Sequence, residues 1–235
     1  MEIFLNPDSW IALLTLTFLE IVLGIDNIIF ISIVAGKLPK EDQRKARLVG
    51  LTLALVVRII LLMGISWLVG LTEPVLTIYE FGLSWRDIIL VLGGLFLISK
   101  STTEIHHKVS GEHHEKELKK PKAFSGAIIQ IILLDIIFSF DSILTAVGLT
   151  NQITLMVIAV IVSILVMMLF AGAISNFVNK YETLQVLALS FLILIGFMLV
   201  VEGAHIHVPK GYIYFAVFFS LIVEAINIKA RKNKK

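Results

Sequence analysis

The sequence predicts an all-α, polytopic membrane protein in which seven transmembrane helices form two inverted three-helix repeats followed by a final helix. Three observations carry this reading. Hydrophobic residues make up 57% of the 235 residues and charged ones only 16%, with a mean hydropathy of +0.94. A water-soluble domain of this length has no interior large enough for so much apolar surface. The apolar residues gather into seven runs, each close to the roughly 17–25 residues that cross a hydrocarbon core about 30 Å thick. Finally, an acidic motif occurs twice at equal spacing, in the first run and in the fourth.

In chain order the spans are expected near 10–35, 47–70, 86–103, 123–148, 152–175, 184–202 and 212–229. Leu, Ile and Val run around every face of them, as in helices embedded in lipid or in a bundle core. The N-terminus, "MEIFLNPDSW", lacks the basic stretch of a cleaved signal peptide, so the first span is expected to be retained. An odd number of spans puts the termini on opposite sides. Seventeen of the twenty Lys and Arg residues fall in segments 37–47, 99–122, 176–182 and 229–235, whereas the alternate loops hold only Arg86 and Lys210. The positive-inside rule therefore predicts a cell-membrane protein with its N-terminus outside and its C-terminus in the cytoplasm. Trp10, Trp67 and Trp85 fall at the expected outer helix ends, where amphipathic rings settle. Arg58 is the exception, a cation in the middle of the second span.

The organisation follows from these spans. Residues 1–103 form the first three-helix repeat and 104–122 a polar cytoplasmic loop within "STTEIHHKVSGEHHEKELKK". Residues 123–202 form the second repeat, and 203–235 the seventh helix with a basic tail. Three is odd, so the halves run in opposite senses through the membrane. Inverted repeats of this kind are a recurrent transporter architecture, with the site near the midplane where the repeats meet.

The motif itself is "LEIVLGIDNIIF" at 19–30 and "LDIIFSFDSILT" at 134–145. Aligning Glu20 with Asp135 brings Asp26 onto Asp141 and Asn27 onto Ser142. "GLFLISK" (94–100) then lies opposite "GFMLVVE" (196–202). A carboxylate at a helix centre costs roughly 2.5–3.5 kcal/mol on insertion scales, so four such acids call for a role. Clustered carboxylates with an amide and a hydroxyl suit a hard divalent cation, Mg²⁺, Ca²⁺ or Mn²⁺. In an unbroken helix Glu20 and Asn27 share a face while Asp26 points about 120° away from Glu20. Spans 1 and 4 are therefore expected to be interrupted or bent near Gly24 and Ser139. The absence of cysteine excludes a disulfide framework, a thiolate metal site and a Cys nucleophile.

"EIVLGIDNIIFI", "DIIFSFDSILTAVG" and "GGLFLISKST" resemble the TerC family of bacterial integral membrane proteins, over nearly the whole chain. The resemblance implies a fold related to LysE-type exporters and a part in divalent-metal handling. Several members look like manganese exporters, protecting the cytosol or supplying exported metalloenzymes through the secretion route. Carried over position by position, the metal-binding set is Glu20, Asp26, Asn27, Asp135, Asp141 and Ser142. The metal is a transported substrate and no cofactor is expected. The expected partners are the ion, the lipid bilayer and exported metalloenzymes or secretion machinery, with no nucleic acid.

Arg58 is either a counterion that fills the acidic cavity when metal is absent or a structural partner of one acid. Lys100 and Glu202 occupy matching positions on opposite sides and read either as gates or, preferably, as interfacial anchors. His106, His107, His113 and His114 could collect cytosolic metal or simply be solvated; His205, His207, Glu224 and Asn227 receive no role. Two other function classes compete with export. A non-transporting scaffold or metal-loading partner leaves no clear sequence signal. A metal-dependent membrane enzyme is disfavoured, because there is no HExxH or GxSxG and no enzyme needs inverted symmetry.

Overall fold

A computed structural model describes residues 5–78, 81–110, 120–150 and 152–232. Within those stretches the side chains at 25, 26, 66, 78, 81, 120–123, 141, 145, 148, 210 and 232 lie outside the description. In hydrocarbon every backbone polar group must be satisfied internally, so the apolar runs become helices. Among the described residues seven helices are long and apolar enough to cross a membrane. In order they are α1 (Pro7–Gly36), α2 (Lys40–Met63), α4 (Trp85–Ser110), α5 (Lys120–Leu149), α6 (Ile153–Lys180), α7 (Glu182–Gly203) and α8 (Lys210–Lys232). A six-residue helix, α3 (Ile65–Gly70), continues α2 after a single break at Gly64.

Local chemistry sets the ends. Asn6 caps α1 by accepting from the Asp8 amide at 3.1 Å, ahead of Pro7, which has no amide hydrogen to leave unsatisfied. At the start of α4, Ser84 Oγ accepts from the Asp87 amide at 3.2 Å. Asp87 Oδ2 in turn accepts from the Ser84 amide at 2.8 Å, a reciprocal capping pair.

Three features differ from the sequence reading. The stretch between spans 2 and 3 contains an antiparallel hairpin, β1 (Pro74–Ile78) with β2 (Phe81–Ser84). Helix α4 runs to Ser110, beyond the expected end at 103, and so takes in the start of the expected loop. Helices α1 and α5 are each continuous over 30 residues, so the expected interruptions near Gly24 and Ser139 do not occur. Gly24 serves packing instead: a Cβ there would meet Met167 Sδ of α6 at 2.3 Å.

Helix α1 packs mainly along α6, α4 along α7, and α2 against α5 and α6. The closest crossing joins α4 to α7 at two glycines. A Cβ on Gly94 would lie 2.4 Å from the Gly196 carbonyl oxygen, and one on Gly196 would lie 2.7 Å from that of Gly94. Near this crossing no larger residue fits without separating the helices. Helix α8 is peripheral: it touches α7 and exposes Phe215, Phe218, Phe219 and Ile226. Glu224 fastens it, accepting a 2.5 Å hydrogen bond from Thr183 Oγ1 at the start of α7.

Candidate functional site

The buried polar residues of α1, α2 and α5 meet in one network. Glu20 and Asn27 are seven residues apart on α1 and share a face; Asp135, Ser139 and Ser142 follow an i, i+4, i+7 stripe on α5. Between the two faces stands Arg58 of α2, which is 3% exposed. Its Nη1 donates to Glu20 Oε2 at 2.5 Å, and its Nη2 and Nε donate to Asp135 Oδ1 at 2.8 and 3.1 Å. The planar fork thus clamps one carboxylate on one side and a second on the other. Ser139 Oγ donates to Asp135 Oδ2 at 3.2 Å, and Asn27 Nδ2 approaches Asp135 Oδ1 at 3.4 Å. Ser142 Oγ donates to the Ser139 carbonyl oxygen at 3.2 Å.

Glu20, Asn27, Asp135 and Ser142 are all buried and belong to the set expected from the sequence. The remaining two members, Asp26 and Asp141, stand on α1 and α5, but their side chains lie outside the described residues. Among the described residues no three His, Asp or Glu side chains form a metal-binding group. Ser139 is the contributor that sequence reasoning assigned elsewhere, as a disturber of its own helix. Its position four residues after Asp135, on the same helical face, was the available signal.

Formally, one cation faces two carboxylates, leaving a net charge of −1 among Glu20, Arg58 and Asp135. Such a trio is costly to bury and strongly coupled, since removal of any member leaves an uncompensated charge in low dielectric. The guanidinium engages Glu20 Oε2 and both oxygens of Asp135, so a cation ligated by these oxygens would compete with Arg58.

The other charged residues singled out from the sequence lie apart from this network. Lys100 sits 3.2 Å from Glu104 one turn further along α4, and Glu104 also pairs with Lys37. Glu202 pairs with Arg86 at 3.0 Å, tying the end of α7 to the start of α4. His205, in a left-handed backbone conformation (φ 62°), reaches Asp87 Oδ2 at 2.9 Å and so joins the α4 cap. The rings of His106 and His107 lie 6.0 Å apart, whereas His113 and His114 lie outside the described residues.

Comparison with known proteins places this chain in a wider group. A family model described as "Integral membrane protein TerC family" matches residues 5–235. The chain is 54% identical over 230 residues to "UPF0053 inner membrane protein YgdQ" of Escherichia coli, covering 97% of this chain and 96% of that protein. It is 49% identical to a "UPF0053 protein" of Haemophilus influenzae, covering 98% of each. A second kind of relative is longer. Against "UPF0053 inner membrane protein YoaE" of Escherichia coli the identity is 47% over 99% of this chain, which spans only 45% of that protein. No solved structure matches.

Proposed function

Because this chain belongs to the TerC family of integral membrane proteins, we propose that it is a transporter that exports a divalent cation, Mn²⁺ foremost, from the cytoplasm. The single observation that carries this reading is the buried convergence of Glu20 and Asp135, one from each copy of the acidic motif, on Arg58. In the proposed cycle the guanidinium holds the two carboxylates when no metal is bound. A hard dication entering from the cytoplasmic side displaces it. Asp26 and Asp141 add charge, while Asn27 and Ser142 add neutral oxygens. Release to the other side returns Arg58 to its acids, so the site never stands as two bare buried carboxylates. No enzymatic step is part of this proposal.

The inverted repeat belongs to the same proposal, with α1, α2 and α4 equivalent to α5, α6 and α7. Exchanging equivalent helices carries the α1–α6 contact onto α5–α2 and the α1–α7 contact onto α5–α4, both of which occur. Gly94 and Gly196, equivalent in the sequence alignment, touch each other. The α1–α2 and α6–α7 contacts have no counterpart of similar extent, so the symmetry is approximate.

The test is metal flux through the purified chain in proteoliposomes. Wild type is expected to move Mn²⁺, and Asp26→Asn or Asp141→Asn to abolish that movement with normal insertion. Glu73→Gln, an exposed acid, should leave flux unchanged. Zinc and copper should be moved less well than manganese, because the site offers oxygens rather than thiolates. Equal flux in both Asp variants would make the acidic motif structural. A second reading, a metal-loading partner of other proteins, draws on the longer relatives in which this unit is under half the chain. It survives only if wild type moves no metal.

A further inference from the structure

A second polar site lies between the C-terminal ends of α1, α4 and α6 and the N-terminal ends of α2 and α7. There the helices leave a cavity of about 700 Å³. Six cations line it: Lys37, Lys40, Arg44, Arg47, Lys108 and Lys180. Among the described residues Glu182 is the single carboxylate in its wall. Of the six, only Lys37 is ion-paired among the described residues, with Glu104. Arg47 instead donates to Ser175 Oγ at 3.2 Å, Lys108 donates to Gln185 Oε1, and Lys180 lies 5.5 Å above the Tyr181 ring. These partners orient the cations without neutralising them.

The wall behind the cations is built rather than incidental. Asn179 Nδ2 donates to Ser175 Oγ at 3.3 Å, and Gln185 Nε2 donates to Asn179 Oδ1 at 3.4 Å, linking α6 to α7. Gln43 Nε2 donates to the Leu38 carbonyl oxygen at 2.9 Å, holding the α1–α2 turn against the cavity. Lys40 and Gln43 lie in the first turn of α2, and Glu182 and Gln185 in that of α7, so two helix N-termini border the space. The two N-termini favour an anion and the C-termini of α1, α4 and α6 oppose it, so the preference for anions rests on the concave basic wall that concentrates field.

We propose that this cavity binds a multiply charged phosphate group, either of a soluble polyphosphate such as a nucleotide or of an anionic lipid headgroup. Five cations without carboxylate partners among the described residues favour a ligand with more than one negative charge. Two arginines suit the forked recognition of phosphate oxygens, with lysines as point charges. The volume lies within the range of roughly 300–1,000 Å³ typical of small-molecule sites. A wall drawn from five helices favours a ligand that arrives from the aqueous face, whereas lipids reach basic pockets between helices from the side. The site is separate from the Glu20–Arg58–Asp135 network and does not depend on the transport reading. Under the proposed orientation it lies on the cytoplasmic face, where its bare charge repels an incoming metal cation. Bound phosphate removes that barrier and would couple metal entry to the ligand.

The experiment uses the full chain in nanodiscs of uncharged lipid, with pyrophosphate and ATP as probes in calorimetry and thermal unfolding. A second arm replaces part of the lipid with cardiolipin and adds no free phosphate. Binding in the first arm identifies a soluble ligand, and stabilisation only in the second identifies a lipid. Arg44→Gln and Lys40→Gln alter exposed side chains that hold no protein partner among the described residues, so folding is preserved. Each is expected to weaken binding about tenfold, the worth of one charge-assisted contact, and added salt to weaken it further. Arg231→Gln, exposed on α8 and away from the cavity, should change nothing. The proposal fails if neither arm shows binding, or if binding persists undiminished in the Arg44 and Lys40 variants.

Discussion

Arg58 is the one basic residue in the middle of an expected span, and its guanidinium ends between Glu20 and Asp135 with hydrogen bonds of 2.5 and 2.8 Å. Its loss should therefore cost more than its contacts suggest, because it leaves two buried carboxylates facing each other. Arg58→Gln is expected to lower stability by about 3–5 kcal/mol, the range for breaking a buried ion pair. Unfolding in detergent measures it. Replacing all three charges together, with Glu20→Gln and Asp135→Asn added, should recover most of that stability while leaving no transport. Mn²⁺ should stabilise Arg58→Gln more than wild type, since the ion no longer competes with a guanidinium. A variant as stable as wild type without metal would mean that the trio is not electrostatically coupled. That Glu20, Asn27, Asp135 and Ser142 are buried was legible, because spacings of seven put each pair on one helical face. That Arg58 bridges the two motifs was not, since which side chains meet across helices is a tertiary fact without a local pattern.

At the scale of single helices, long runs of Leu, Ile and Val leave little choice of secondary structure, and all seven spans were legible for that reason. What the pattern did not reveal was how small residues are used. Gly24 and Ser139 looked like breaks, but Gly24 admits Met167, and the Ser139 hydroxyl goes to Asp135 rather than prying open a backbone bond. The strand pair Pro74–Ile78 and Phe81–Ser84 was missed because strands of five and four residues carry a weak alternation signal. The Gly94–Gly196 crossing gives the sharpest test at this scale. Gly94→Ala pushes a methyl group toward a backbone oxygen and Val200, neither of which swings aside as a flexible side-chain tip does. It should destabilise by about 1–3 kcal/mol as overpacking. Gly172→Ala, in a helix with nothing within 4 Å of the new methyl group, should instead stabilise by up to about 1 kcal/mol. Thermal unfolding of the two variants beside wild type separates close packing from mere helix propensity, because propensity alone predicts the same sign for both.

For the molecule as a whole, orientation decides whether the proposed direction of transport is meaningful. Seventeen of twenty Lys and Arg residues lie in alternate loops and the C-terminal segment, and five of the helix ends they flank meet at the basic cavity. The opposite ends of α4 and α7 are instead joined by the Arg86–Glu202 ion pair and the Asp87–His205 hydrogen bond. Among the described residues the basic face carries positive charge that carboxylates do not match, the kind of charge that translocates poorly, and this supports the expected orientation with that face in the cytoplasm. The chain contains no cysteine, so single cysteines report position without background. Glu73, Ser110, His207 and Arg231 are exposed, the first and third near the ends of α3 and α7, the second and fourth near the ends of α4 and α8. In right-side-out vesicles a membrane-impermeant maleimide should label Glu73→Cys and His207→Cys. Ser110→Cys and Arg231→Cys should react only after permeabilisation. Labelling at both 73 and 110 from outside would mean that α4 does not cross. The first repeat would then have an even number of spans, and the two acidic motifs would enter the membrane in the same sense. That result would remove the inverted symmetry and, with it, the reason for placing one exchange site where Glu20 and Asp135 meet.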